Sequence, residues 1–387
     1  MALAAAVAMT LPLGTVYAFS VFLRPLEAEL AASRAELSLV FGLAIAAFTA
    51  GMNLAPALYR LAPPWALVAG CAAVSSAGMV VAATAPGIVQ LAIGYGALFG
   101  LGGGGAYTLL LQGVNLLLKG RRGLVNGFIV SLFPAGAMIG APLFGWALGH
   151  WGVRATLGGL AAALAAAGAL AALLVAASGM AVVAPAGGPA APPPAGGRAS
   201  LFWRLWAVFF LAAAAGLTVL GQAAGMVEAY GGGEALALFA TTAITGCIAA
   251  ARIGGGWLAD RLPEAAVLAG AHVLALCGDL LLLAFPGPIV SVATLAMIGM
   301  GYGLVSGGSA AAIGVYWGAA QYGRIAGRLY IAWCVAAVTL PVVAGRLFDL
   351  SGGYAGAVAI ATAGNVLGFA IAAGLARRAA GPASPDL

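Results

Sequence analysis

The run "ITGCIAAARIGGGWLADRL", Ile244 to Leu262, sets a single arginine among alanines and glycines. Arg252 has no charged neighbour along the chain until Asp260, eight residues on. In water this is an ordinary residue; in the middle of a bilayer it costs about 2.5–3.5 kcal/mol on insertion scales. The rest of the chain decides which case applies. Of 387 residues, 64% are hydrophobic and 7% charged, too few charges to cover a soluble domain of this length. Apolar stretches of roughly 20 residues recur, each long enough to cross about 30 Å of hydrocarbon as a helix. Lipid offers no partners to exposed backbone groups, so the stretches are expected to be helices. The chain reads as an all-α membrane protein in a lipid bilayer, with Arg252 inside it.

The formal charge of +6 comes from basic residues scattered singly, so no nucleic-acid partner is expected. Cys71, Cys247, Cys277 and Cys334 lie within apolar spans without metal-ligand spacing and read as buried thiols. No catalytic, metal or cofactor constellation stands out. The opening run "MALAAAVAMTLPLGTVYAFSVF" lacks a basic n-region and reads as the first helix rather than a signal peptide. A short cytoplasmic tail is expected to precede it in the natural chain.

Spans are expected at 2–24, 35–61, 65–84, 87–118, 122–150 and 153–179, then 201–228, 234–259, 263–284, 287–318, 323–348 and 353–378. "SRAE", Ser33–Glu36, has capping-box spacing before the second. Pro63-Pro64 breaks the chain before the third. "APAGGPAAPPPAGGRAS", Ala184–Ser200, has no apolar face and reads as a linker. The expected division is a six-helix bundle at 1–180, a cytoplasmic linker at 181–199 and a second six-helix bundle at 200–387. With both termini cytoplasmic, most basic residues fall on the cytoplasmic side, leaving Arg24, Arg34, Arg154 and Arg346 opposite. Arg252 belongs to neither side.

The halves repeat at an offset of roughly two hundred residues. "RLAPPWALVAG" from Arg60 parallels "RLPEAAVLAG" from Arg261, and "GRRGLVNG" from Gly120 parallels "GRIAG" from Gly323. Pro142 with Gly145 parallels Pro341 with Gly345. Six-helix repeats of one orientation describe the major facilitator architecture, with twelve helices and a central site.

Arg252 precedes the end of its span by about 12 Å, close to the midplane. A structural ion pair needs an acid at that depth. Asp279 and Glu228 are the conceivable ones, and by position neither reaches that level. The sharper reading is a ligand-binding arginine whose counter-charge is an anion that arrives and leaves. A guanidinium stays charged and presents a planar fork to both oxygens of a carboxylate. Gly254, Gly255 and Gly256 are expected to leave room beside it.

"RIGGGWLADR" also carries a resemblance. The chain resembles the monocarboxylate and oxalate–formate exchanger branch of the major facilitator superfamily, where an arginine on the eighth helix precedes a glycine-rich turn and an Asp-basic pair. "GTVYAFSVFLRPLEAEL", "GLGGGGAYTLLLQGVNLLLKGRRGL", "GMGYG" and "GRLYIAWCVAAVTLPVVAGRLFDLSGGY" extend the resemblance over most of the chain. It implies a substrate pocket of Arg252, Tyr17, Tyr107, Tyr302, Ser306, Tyr330 and Trp333, and a gating loop with Asp260 and Arg261. Ordinary core packing is the competing reading for each aromatic. Gln112 and Asn115 either line the path or bond between helices.

The departures bear on substrate. Oxalate-exchanging relatives carry a second cation, a lysine, where this chain has Trp333. Animal-type monocarboxylate carriers have a lysine on the first helix, absent here, and an aspartate where this chain has Ile248. Tyr59 stands where the superfamily usually has an acid. One fixed positive charge balances one negative charge, so the expected cargo is a small organic monocarboxylate moved by alternating access. Coupling is expected from a proton or by anion exchange, with Glu228 as the proton-coupling candidate. His272, mid-span, reads as a lipid-edge or packing residue. The expected protein is a monomer in the bacterial inner membrane. The rival readings are an exporter of drugs or other anions and, remotely, a membrane hydrolase using Ser306 with His272.

Overall fold

The computed structural model describes residues 1–32, 34–117, 122–183 and 198–379, and among them there is no β-strand. Among the described residues eleven helices are long and apolar enough to cross a membrane. One of these, Arg122–Ser178, runs for 57 residues and is two spans joined at Gly152, whose φ of 76° and ψ of 178° break the helical path. Such a positive φ favours glycine, which has no Cβ to clash. Among the described residues this makes twelve helices: α1 (2–30), α2 (Arg34–Leu58), α3 (Pro64–Ala83), α4 (88–117), α5 (122–151), α6 (153–178), α7 (Arg198–Ala229), α8 (Glu234–Ala259), α9 (Glu264–Ala284), α10 (Pro288–Trp317), α11 (Tyr322–Ser351) and α12 (Ala355–Ala379). The protein is a multi-pass integral membrane protein.

Two helices depart from simple expectation. Helix α1 continues to Leu30 and tightens to 3-10 geometry over Thr15–Phe22. There Thr15 donates its hydroxyl to the Pro12 carbonyl at 2.6 Å, one of the local bonds by which threonine competes with the helix ladder. Helix α4 contains a π-helical stretch, Ala92–Phe99. Ser33 of the expected capping box, and residues 184–197 of the expected linker, lie outside the described residues.

Large apolar side chains such as Leu39, Leu54, Leu173 and Val342 are exposed, as expected of surfaces that face lipid. Trp203 and Trp206 open α7, while Trp146 and Trp151 close α5. Paired aromatics at helix ends are characteristic of the membrane–water boundary.

The chain forms two compact units. The first holds Met1–Gly120, Leu132–Ala191 and Tyr316–Cys334; the second holds Arg121–Ser131, Pro192–Val315 and Val335–Leu387. The start of α5 therefore groups with the later helices, and the first half of α11 with the earlier ones. Within the first unit α2 and α3 pack on α4. Within the second, α9 packs along α12, α12 along α7, and α7 along α8.

Candidate substrate site

In the second unit, Arg252 sits on α8 with 3% of its surface exposed. Its Nη1 donates to the Val130 carbonyl at 2.8 Å and its Nη2 to the Tyr302 hydroxyl at 2.9 Å. The Val130 acceptor has a cause in the sequence. Pro134 lies four residues on within α5 and has no N–H, so the helix ladder leaves the Val130 carbonyl unclaimed. Tyr302 is held by α10 and fits a notch at Gly216 on α7, where any Cβ would run into its ring. The Arg252 guanidinium carbon lies 5.2 Å from the centre of that ring. A phenol and a carbonyl are neutral acceptors that orient the fork and satisfy N–H groups. Ser306, one turn from Tyr302 on α10, is 3% exposed.

The backbone of α8 at this point is closely gripped. Gly307 of α10 and Gly127 of α5 both lie against the Arg252 carbonyl. The three glycines after Arg252 divide their work. Gly255 packs on the Leu304 backbone and Gly256 on the Gly123 carbonyl, whereas a Cβ at Gly254 would meet only the Leu304 side chain at 3.8 Å. Gly254 has open space next to it, on another face of the helix from Arg252, and the other two permit close helix approach.

Asp260, exposed at the end of α8, accepts from the backbone N–H groups of Gly123 at 2.8 Å and Leu124 at 2.9 Å. These belong to the first turn of α5, where helical N–H groups lack internal partners and the dipole favours a negative charge. Asp260→Ala should therefore cost about 1 kcal/mol locally, roughly a fivefold rise in hydrogen exchange across the first turn of α5. Unchanged exchange there would show that the cap contributes nothing. Arg261 folds back on its own helix, donating to the Trp257 carbonyl at 3.2 Å with its guanidinium 4.0 Å from the indole centre. Glu228 is exposed in the last turn of α7.

The first unit gathers the other named residues into an aromatic cluster. Tyr107 and Tyr330 share a hydrogen bond at 3.3 Å. Trp333 lies within about 6 Å, ring centre to ring centre, of Tyr17, Phe48 and Tyr330. Phe48 and Phe133 complete the cluster, with Phe133 at 5.3 Å from both Phe48 and Tyr107. Neither phenylalanine was singled out from sequence; Phe133 had a signal in its place beside Pro134. The buried indole N–H of Trp333 has no acceptor among the described residues. A buried indole N–H usually finds one, so an oxygen-bearing ligand is a natural complement.

Gln112 and Asn115 part company. Gln112 accepts from the Gly323 N–H at 2.7 Å and donates to the Ala319 carbonyl at 3.0 Å, fastening α4 to the start of α11. Asn115 donates to Leu111 of its own helix. The Tyr59 hydroxyl is buried against Gly323.

The family model described as "Major Facilitator Superfamily" matches residues 3–341. A search of curated proteins found no match. Among solved structures, the human organic anion transporter MFSD10 (TETRAN) superposes with a TM-score of 0.73 at 16% identity, covering 96% of this chain and 99% of that one. The proton:xylose symporter XylE, bound to 6-bromo-6-deoxy-D-glucose, gives 0.73 at 14% identity, covering 95% and 94%. The transporter FucP, in its outward conformation, gives 0.70 at 16%, covering 95% and 97%. Identities this low establish shared fold and leave the cargo to the site. The chain belongs to the major facilitator superfamily, a family of secondary transporters that move small solutes by alternating access.

Proposed function

We propose that this transporter carries a small organic monocarboxylate, as a member of the branch resembling monocarboxylate and oxalate–formate carriers, and that Arg252 holds the carboxylate. The observation that carries the reading is a 3% exposed arginine in the membrane-spanning part of α8, oriented by a carbonyl and a phenol. Ionisable residues at such depth are expensive to insert, and they mark substrate pathways far more often than decoration. The two neutral oxygens are single acceptors that a carboxylate can displace while offering the fork two at once. Tyr302 then supplies a hydroxyl beside the bound anion, with Ser306 a turn away. Tyr17, Tyr107, Tyr330 and Trp333 are proposed as further substrate-binding residues on the strength of the resemblance alone.

Charge argues for one carboxylate. A dianion brings a second charge into an apolar and aromatic setting, a penalty of several kcal/mol without a second cation. One of the solved neighbours is an organic anion transporter, so the fold accommodates such cargo. Coupling by a proton or by anion exchange is part of the proposal, with Glu228 a coupling candidate by its place at the end of α7. So is placement in a bacterial inner membrane, as a monomer with both termini cytoplasmic.

The test is uptake of labelled mono- and dicarboxylates into proteoliposomes, with and without a pH gradient. Monocarboxylates are expected to accumulate and dicarboxylates to be excluded at least about tenfold, the factor that corresponds to 1.4 kcal/mol. Trp333→Lys adds a cation and is expected to narrow that gap by admitting dianions. Equal transport of both classes by the wild type would refute the single-charge argument.

A further inference from the structure

Away from Arg252, three polar side chains of the second unit are buried together between α9 and α12. His272 is 1% exposed, Asn365 1% and Asp279 0%. His272 Nδ1 lies 2.9 Å from Asn365 Oδ1, and Asn365 Nδ2 donates to Asp279 Oδ2 at 2.7 Å. His272 is thus no lipid-edge residue. The arrangement is built from both helices. His272 and Asp279 are two turns apart on one face of α9, and Asn365 reaches both from α12. One turn beyond Asn365, Gly368 lies so close to the imidazole that any Cβ would strike the ring.

The bridging amide fixes the direction of each bond. An amide oxygen only accepts, so His272 carries its proton on Nδ1; an amide NH2 only donates, so Asp279 Oδ2 accepts. Neither bond uses Asp279 Oδ1 or His272 Nε2, and both atoms are buried without a hydrogen-bond partner among the described residues. The Val208 backbone of α7 reaches the imidazole, but not with hydrogen-bonding geometry at Nε2. Two arrangements keep the triad at zero net charge: a proton on Asp279 Oδ1 with a neutral imidazole, or a proton on His272 Nε2 with an ionised carboxylate. Both leave the two Asn365 bonds unchanged. The alternative, a bare carboxylate beside a neutral imidazole, leaves one uncompensated charge at zero exposure and is strongly disfavoured.

A surface groove lies near the triad. A groove of about 500 Å³ opens between α7 and α12, lined by Trp203, Arg204, Ala207, Ala370 and Ile371 among others. Ala207 directly precedes Val208, and Ile371 lies about 4.5 Å along α12 from Gly368. Arg204 lies one turn from Val208, with its Nη1 3.5 Å from the Gly374 carbonyl. From the other packed elements, α8 carries Cys247 and Arg252, and α10 carries Tyr302, which is bonded to Arg252, and Tyr316. On α9 itself are Glu264, eight residues before His272, and the exposed Cys277. On α7, Glu228 lies twenty residues from Val208, and α12 ends in Arg377 and Arg378.

We propose that His272, Asn365 and Asp279 form a proton-binding site that holds one exchangeable proton, at Asp279 Oδ1 or His272 Nε2, and trades it with water through the groove beside Arg204. The step is proton transfer alone. Oδ1 releases H⁺ to water, and Nε2 takes one H⁺ from water in the groove, so charge is restored to zero. The inference is independent of which solute the protein carries.

The test is infrared spectroscopy of the lipid-reconstituted protein, without substrate, in H2O and after transfer to D2O. The wild type is expected to show a protonated-carboxyl band that shifts on transfer to D2O, as an exchangeable proton requires, and that is absent from Asp279→Asn. His272→Gln removes the second resting place for the proton, so the proton stays on Asp279 and the band should be stronger than in wild type. A wild-type band unaffected by Asp279→Asn, or one that never shifts in D2O, overturns the proposal. Should Asp279→Asn fail to fold, His272→Gln decides alone: an unchanged band overturns the proposal and a stronger one sustains it.

Discussion

Replacing Arg252 by alanine is expected to lower uptake of the transported monocarboxylate by between about 30-fold and a few thousand-fold. That range corresponds to the 2–5 kcal/mol typically lost when one partner of a buried charge pair is truncated. Alanine also leaves the Val130 carbonyl and the Tyr302 hydroxyl, bonded to Arg252 at 2.8 and 2.9 Å, without their donor. A buried orphan of this kind costs about 1–3 kcal/mol. Thermal stability in detergent should therefore be measured on the same sample, so that lost folding is not read as lost binding. Arg252→Lys separates charge from shape. It keeps the cation but loses the planar fork, and at a bidentate site that exchange is not conservative. We expect uptake by the lysine variant well below wild type, at a stability closer to it than the alanine variant achieves. Uptake by Arg252→Lys at the wild-type rate would mean that a point charge suffices.

The second large effect concerns the scaffold under that arginine. Gly307 lies against the Arg252 carbonyl, so a Cβ there meets backbone rather than a side chain that can swing away. Helices α8 and α10 must separate, and overpacking of this sort costs about 1–3 kcal/mol for a single methyl group. Gly307→Ala should lower the thermal midpoint, and Gly307→Val should lower it further. Gly270→Ala is the matched control: it lies within α9, and an added Cβ would meet nothing within 4 Å. Alanine in an open helical position favours the helix by about 1 kcal/mol over glycine, so this variant should be unharmed or slightly stabilised. Equal destabilisation by both substitutions would show that the contact at Gly307 is not special.

The fold was largely legible because hydrophobic length is a strong signal. The expected span 234–259 matches α8, Glu234–Ala259, and most other boundaries fall within a few residues. What periodicity could not reveal were departures inside a continuous apolar run. The 3-10 stretch at Thr15–Phe22 and the π stretch at Ala92–Phe99 are at least as hydrophobic as the helix each continues, so no change of composition announces their start. The grouping of α5's first turns with the later helices was also hidden, since it depends on contacts such as Asp260 with Gly123, more than a hundred residues apart.

The candidate site divides along similar lines. Arg252 was visible because charges are scarce in this chain, so one inside a span stands out. Its acceptor at Val130 was not, because every residue has a carbonyl; only Pro134, four positions on, hints that this one is available. Tyr302 could be named, but the Gly216 notch that seats it requires knowing which helices touch. His272 shows the same limit. A lone histidine in an apolar helix has no sequence signature separating a lipid-edge residue from a member of a buried triad. The partner that distinguishes them, Asn365, lies 93 residues away.

The most direct measurement of the central claim is a double-mutant cycle across the arginine–carboxylate contact. Once the labelled-acid panel has identified a transported acid, its binding and that of its neutral amide would be measured to wild type and to Arg252→Ala in lipid nanodiscs. Wild type is expected to bind the acid far more tightly than the amide, and the variant barely to distinguish them. The coupling energy should be about 2 kcal/mol or more. A coupling energy near zero, with the acid preferred equally by both proteins, would mean that the carboxylate is held elsewhere.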